Sequence, residues 1–137
     1  MKKVTKIRLE ASQNENVILF GIVSREPDYK LSLALNQKIG ISLKRSDPIV
    51  CDNEHSFSRF TTSASSPDNV VYTLTSNRSG SFFMFKKFKN IDYLFHIHNS
   101  DNNENVSSIL RETENIDAVF PLDIKTLSDK NMSYLIQ

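Results

Sequence analysis

The chain has 137 residues, and 17 Lys and Arg against 16 Asp and Glu leave a formal charge of only +1. This length fits one domain, so we predict a single domain over residues 1–137. The small net charge argues against a polybasic surface for nucleic acid, and three isolated glycines exclude the glycine-rich phosphate-binding loops. With one cysteine and no run of about 18 apolar residues, the sequence indicates a cytoplasmic protein without a membrane segment.

The first two predicted elements are β-strands. Residues 5–9 alternate apolar and polar side chains, which is typical of a strand with one solvated face. A polar stretch follows, and then come the seven uncharged residues 17–23, which are rich in β-branched side chains. We therefore predict that the second strand is covered on both faces and lies inside the sheet.

A helix is predicted over residues 24–40. Ser24 is a suitable N-cap, and Leu31, Leu35 and Ile39 recur every four residues, as on one face of a helix. Gly40 can end the helix in the left-handed conformation. The leucines of this segment also alternate as in a strand, but the capping residues favour the helix.

Four or five further strands are predicted in the middle of the chain. They begin with Ile41 and Leu43 before a stop at 46–48, and continue with 57–62, 70–76, 81–85 and 91–98, with a turn at 77–80. The connections between them are short, which favours antiparallel pairing.

The last part of the chain is predicted to be mainly helical. Val106, Ile109 and Leu110 have helical spacing, which predicts a helix over 106–113. Residues 116–122 are apolar but contain Pro121, and we assign no element to them. Asp123 could cap a last short helix through residue 127.

These elements give the order ββα-ββββ-α-α. We predict an α+β fold in which an antiparallel sheet of about six strands is covered by two main helices. The order resembles profilin-like and longin-like scaffolds, a likeness of fold that implies no function.

Several short motifs are similar to one bacterial family. Ile91-Asp92-Tyr93 follow Phe85-Lys86-Lys87 at the spacing of the IPExxxVDY family of small Bacteroidota proteins, although the Ile-Pro-Glu half of that motif is replaced. The further resembling positions are Asp28, Tyr29, Leu31, Leu35, Asn36, Phe57, Phe60, Ser76 and Asn77. The resemblance implies a small bacterial protein and no particular activity. From the residues themselves, we interpret Asp28 as favouring a helix N-terminus and Asp92 as accepting backbone hydrogen bonds.

His96 and His98 are the candidate metal ligands. They lie two residues apart on a predicted strand, so their side chains share a face about 6.6 Å apart. A third ligand would have to come from elsewhere, for example from His55 and the neighbouring Cys51. The simpler interpretation places both histidines on a partly solvated face opposite the core, and we expect neither a bound metal nor another cofactor.

The segment 81–89 is the densest basic and aromatic part of the chain. Its Phe82, Phe83, Phe85 and Phe88 cannot all point one way, and its Lys86, Lys87 and Lys89 are matched by acidic residues concentrated at 101–114. Stacking aromatic rings beside lysines would suit single-stranded RNA, but a protein interface is the commoner use of such a surface.

No catalytic constellation is present in the sequence. We therefore expect a protein–protein interaction domain without enzymatic activity, pairing with itself as a homodimer or with another protein through residues 82–89. The alternatives are a small-ligand or metal-binding domain that uses His96 and His98, and an RNA-binding domain.

Overall fold

A six-stranded antiparallel sheet in the order β2-β3-β4-β7-β1-β8 forms the centre of the molecule. The computed structural model describes residues 17–51, 54–62, 70–98 and 103–123. The strands of this sheet are β1 (Val17–Val23), β2 (Lys44–Cys51), β3 (His55–Thr61), β4 (Val71–Ser76), β7 (Tyr93–His98) and β8 (Ala118–Leu122). The α+β fold predicted from the sequence is thus confirmed, and β1 lies inside the sheet between β7 and β8.

Two helices pack on one face of the sheet. Helix α1 (Asp28–Leu35) continues as a π-helical turn, Asn36–Gly40, and helix α2 spans Asn103–Glu112. Gly40 ends the first helical segment with φ of +78°, as predicted. The predicted N-cap was wrong: the cap is Pro27, because the chain first forms an extended loop after β1.

Each face of the sheet carries its own apolar core. On the helical face, Phe20, Phe95 and Leu110 are almost fully buried together with side chains of α1. On the opposite face, Leu19, Leu94 and Phe57 pack against residues of the segment 84–91. Adjacent side chains of a strand point to opposite faces, so the continuous apolar sequence of β1 supplies both cores.

The segment between β4 and β7 folds onto the second face. It contains a two-stranded hairpin, β5 (Arg78–Ser79) with β6 (Phe82–Phe83), followed by a 3₁₀ turn, Lys86–Phe88. The strand predicted over 81–85 was therefore too long and did not belong to the main sheet. Gly80 makes the hairpin turn at φ of +61°.

The buried side chain of Asn77 holds this segment in place. Its amide nitrogen donates to the carbonyl oxygens of Phe88 and Ile91, each at 2.9 Å, and its amide oxygen accepts from the Phe85 N–H at 2.9 Å. Its own backbone N–H donates to the Asp92 carbonyl at 2.9 Å, and its carbonyl accepts from Met84 at 2.8 Å. One side chain thus joins both ends of a fifteen-residue excursion, 77–91.

Gly21 allows this segment to approach the sheet closely. A Cβ atom at Gly21 would lie 2.5 Å from Cδ1 of Ile91 and 3.2 Å from its Cγ1. The glycine in the middle of an apolar strand therefore reflects contact with Ile91 on the second face.

Both edge strands differ from the sequence prediction. Strand β2 does not stop at residues 46–48 but passes through them with a shift in register between Ser46 and Ile49. The sequence did not predict β8 because it contains Pro121. In the structure β8 is an edge strand that pairs with β1, and a proline is compatible with an edge strand. The predicted strand at 5–9 and the helical residues 124–127 lie outside the described residues.

We expect Asn77→Ala to lower the free energy of unfolding by about 2–4 kcal/mol, because two buried carbonyls and one N–H lose their side-chain partner. Urea denaturation followed by circular dichroism measures this loss. The matched control is Asn90→Ala at an exposed turn residue, for which we expect a change within about 0.5 kcal/mol. Equal losses in the two variants would contradict the role given to Asn77.

Candidate functional site

A cleft of about 490 Å³ lies at one end of the sheet. We call this end the loop end: β1 and β4 finish there, β7 and β8 begin there, and residues 24–27, 77–92 and 113–117 connect them. The cleft is lined by Ser24, Arg25, Glu26, Pro27, Ser76, Arg78, Asp92 and Tyr93. Its volume is in the range of small-molecule pockets.

Asp92 organises the floor of the cleft. Its carboxylate accepts the backbone N–H of Ser24 at 3.0 Å and lies 3.5 Å from Nε of Arg78. Its backbone N–H donates to the Ile22 carbonyl at 2.9 Å. The carboxylate is thus engaged in fixing the loop after β1 to the start of β7, as the sequence interpretation proposed for this aspartate.

Tyr93 fixes the other side of the same loop. Its hydroxyl donates to the Glu26 carbonyl at 2.6 Å. Burial raises the pKa of Tyr93 to about 12, and the carboxylates of Asp28, Asp92 and Glu26 contribute to the rise, while Arg78 opposes it. The hydroxyl therefore remains a proton donor throughout the physiological pH range.

The other positions of the family resemblance also contact the chain itself. Asp28 accepts the Tyr29 N–H at 2.7 Å and lies 3.6 Å from Arg45. The amide of Asn36 pairs with both backbone groups of Leu43, at 2.7 and 3.2 Å. Tyr29 is 53% exposed and Ile91 is buried. The negative charge of Asp28 is close enough to Tyr93 to contribute to its raised pKa, although the two residues are far apart in the sequence.

The aromatic residues of 82–88 divide into exposed and buried rings. Phe82 is 50% exposed and stacks on His55 with 3.7 Å between ring centroids. Phe83 is half-buried beneath the Arg78 guanidinium, 5.5 Å from the ring centroid. Phe85 was predicted to belong to an interaction surface, but it is 1% exposed because it packs in the second core, with the half-buried Phe88 tilted against it.

The lysines of this segment are accessible. Lys86, Lys87 and Lys89 are all exposed around the 3₁₀ turn. With Phe82 they form what we call the basic hairpin surface: Phe82, Lys86, Lys87 and Lys89.

His96 and His98 share the second face of the sheet, as predicted, but His96 is 3% exposed rather than partly solvated. Burial lowers the pKa of His96 to about 3, with smaller contributions from His98 and Arg59, and burial also lowers the pKa of His98. His55 cannot join them: it begins β3, whereas the strand reaches the level of His96 only at Thr61, about 20 Å away. No group of three or more His, Cys, Asp or Glu that could hold a metal occurs within the described ranges.

Sequence reasoning missed Arg78 and the loop 24–27 as parts of one site. Arg78 was interpreted as a turn residue and Ser24 as a helix cap, and nothing in their spacing connects them. What connects them is the pairing of β1 with β7. It places Ile22 opposite Tyr93, so the residues that follow Ile22 lie beside those that precede Tyr93.

The fold and these contacts define an α+β domain with a polar cleft at the loop end and a basic hairpin surface beside it. No helix of the described part is long and apolar enough to cross a membrane. Compared with protein-family models and with curated proteins, the chain matches neither a family model nor a curated protein. The resemblance to the IPExxxVDY family therefore stays a prediction.

We expect Tyr93→Phe to remove the ionisation near pH 12 from the tyrosinate absorbance of the folded protein. Because the pKa is raised above its unfolded value of 10, Tyr93 contributes stability that is fully present below pH 10 and is lost as the pH rises through about 12. The difference in unfolding free energy between the wild type and Tyr93→Phe should thus shrink over that interval. A difference that grows or stays constant there would contradict the raised pKa of the buried Tyr93 hydroxyl.

Proposed function

We propose that this chain is a protein-interaction domain without enzymatic activity, which pairs with a second copy of itself through its loop end. The observation that carries the proposal is the basic hairpin surface: the segment between β4 and β7 exposes half of the Phe82 side chain and the three lysines Lys86, Lys87 and Lys89. An exposed aromatic ring inside a polar rim is the usual composition of an interface core.

The loop end offers a complementary acidic surface. Glu112 at the end of α2 is exposed, as are Glu114 and Asp117 in the loop before β8, where Asp117 lies 3.6 Å from Nε of Arg25. This segment is fixed at the loop end, because the Asp117 N–H donates to the Val23 carbonyl at 2.8 Å and the Ser24 hydroxyl donates to the Asn115 carbonyl. We call Glu112, Glu114 and Asp117 the acidic loop surface.

The two surfaces belong to different connections of the loop end. The basic hairpin surface lies in the connection from β4 to β7, the acidic loop surface lies in the connection that leads into β8, and β1 lies between β7 and β8 in the sheet. In a twofold dimer, residue i of one copy contacts residue j of the other and the reverse. In the proposed dimer the twofold axis passes between the two surfaces, perpendicular to the line that joins them, so that each basic surface faces the partner's acidic surface and both contacts are favourable.

The contacts of the cleft residues support a binding role for the surfaces near the cleft, and not catalysis in the cleft itself. Asp92 and Tyr93 are engaged with the backbone of Ser24 and Glu26, so these groups hold the loop in shape. Membership of the IPExxxVDY family belongs to the same proposal and is supported by Asp92 and Tyr93 of the motif, whose side chains bond the loop 24–27. A bacterial cytoplasmic location is proposed with it.

We expect the wild-type protein to be a dimer at tens of micromolar in sedimentation equilibrium, and Lys86→Glu/Lys87→Glu to be a monomer. Reversing two charges places like charges opposite each other in both contacts of the pair. The matched control, Lys38→Glu/Lys44→Glu, changes the net charge equally at exposed positions away from the hairpin and should remain dimeric. A monomeric wild type would refute the proposal.

A charge exchange tests the pairing itself. Glu112→Lys/Glu114→Lys should also be monomeric alone, because its acidic loop surface becomes basic. Mixed with Lys86→Glu/Lys87→Glu, it should form a heterodimer in which both contacts are again between opposite charges. If the mixture stays monomeric, or if either variant dimerises alone, the two surfaces do not face each other.

A further inference from the structure

Strand β8 is an edge of the sheet and contains no charged residue. It pairs with β1 on one side, and among the described residues no strand pairs with its other side. The strand runs from Ala118 to Leu122, and the Phe120 side chain is 41% exposed. An apolar edge strand offers unpaired backbone N–H and C=O groups, to which a strand of another chain can add. An edge of this kind therefore needs a feature that prevents such addition.

The opposite edge strand, β2, is protected by charge and by an irregular register. Lys44, Arg45 and Asp47 are exposed, and the register of β2 with β3 shifts in the middle of the strand. Charged side chains and irregularities are common means of protecting a sheet edge. Strand β8 has neither, because its register with β1 is continuous. What β8 has instead is the exposed Pro121.

The hydrogen bonds of the sheet determine which backbone groups of β8 point outwards. Along an antiparallel strand, one residue directs its N–H and C=O to one neighbouring strand, and the next residue directs them to the other. The Thr62 N–H donates to the Tyr72 carbonyl at 3.0 Å, so the backbone of Tyr72 is directed to β3. The backbone of Thr73 is therefore directed to β7, where its partner is His96.

The same alternation continues across the sheet to β8. Since His96 is directed to β4, its neighbour Phe95 is directed to β1, where its partner is Phe20. The next residue of β1, Gly21, is then directed to β8 and pairs with Phe120. The N–H and C=O of Phe120 thus point into the sheet.

Val119 and Pro121 therefore direct their backbone groups to the outer side of β8. Proline has no N–H, so this side offers the carbonyls of both residues but only the N–H of Val119. We propose that Pro121 prevents β8 from pairing with β8 of a second copy of the chain. The proline ring closes an edge that would otherwise be self-complementary.

The self-complementarity follows from the outward groups. When two β8 strands run antiparallel about Phe120, Val119 of each copy lies opposite residue 121 of the other, and each N–H faces a carbonyl. Pro121 removes half of these donors, and its ring occupies space between the strands. Asp117 of one copy would lie opposite Asp123 of the other, and these like charges weaken the pairing. They lie outside β8, however, and remove no backbone donor from it.

The test is made in a chain that carries Lys86→Glu and Lys87→Glu, so that association through the loop end does not contribute. Pro121→Val and Pro121→Ala both restore the N–H at an exposed position. We expect each to strengthen self-association at least about tenfold relative to the background chain, because every dimer gains backbone hydrogen bonds. Sedimentation equilibrium measures this change. Association should stop at the dimer, because β2 remains protected.

Amide hydrogen exchange locates the contact. In the background chain the Phe120 N–H should exchange slowly and the Val119 N–H rapidly, since only Phe120 is bonded to β1. In Pro121→Val the exchange of the Val119 N–H should slow at least about tenfold when the dimer forms. Dimerisation at another surface would leave the Val119 N–H rapid and would contradict the proposal.

Pro48→Val in the same background is the matched control. It makes the same substitution in the other edge strand, where the exposed charges and the shifted register remain, and it should not associate. The proposal is overturned if neither Pro121 variant associates, or if only Pro121→Val does, since the added apolar side chain would then be the cause. A slowly exchanging Val119 N–H in the background chain would also overturn it. A monomeric wild type would refute the loop-end dimer and leave this test unchanged.

Discussion

The amide of Asn77 is the constraint on which the functional end of this protein depends. A buried amide must satisfy its donors and acceptor, and Asn77 does so through the backbone of Phe85, Phe88 and Ile91. In the same contacts it fixes the hairpin, the 3₁₀ turn and the start of β7. The exposed position of Phe82 and the placement of Asp92 at the cleft both depend on this anchor, because Phe82 belongs to the segment 77–91 and the Asp92 carbonyl, directly after it, accepts the Asn77 N–H.

The excursion 77–91 divides the second face of the sheet into two parts with different chemistry. Under the excursion, Phe85 and Ile91 complete an apolar core against Leu19 and Leu94. Towards the other end the same strands carry threonines and histidines. Among the described residues the buried Nε2 of His96 has no hydrogen-bond partner, which costs about 1–3 kcal/mol.

The strands and helices that are long and strongly patterned could be predicted from the sequence, and the site could be predicted only in parts. The seven apolar residues of β1 predicted an interior strand, and Gly40 marked the end of the first helical segment. Strand β8 was missed because Pro121 argues against a strand until the proline is known to lie at the margin of the sheet. The excursion was misjudged for a different reason: local alternation in 81–85 could not show that Asn77 would bind residues 8 to 14 positions later.

The chain has a net charge of only +1, but two segments at the loop end carry exposed charges of opposite sign. Exposed lysines at 86–89 lie in the connection between β4 and β7, whereas exposed carboxylates at 112–117 lie in the connection that leads into β8. Between them, Asp92 and Tyr93 bind the loop 24–27 and have little capacity left for a ligand. Electrostatic complementarity acts mainly on partner choice and association rate. The proposed dimer rests on this charge pattern, because a second copy of the chain carries the same two charged segments and can offer each one to its opposite.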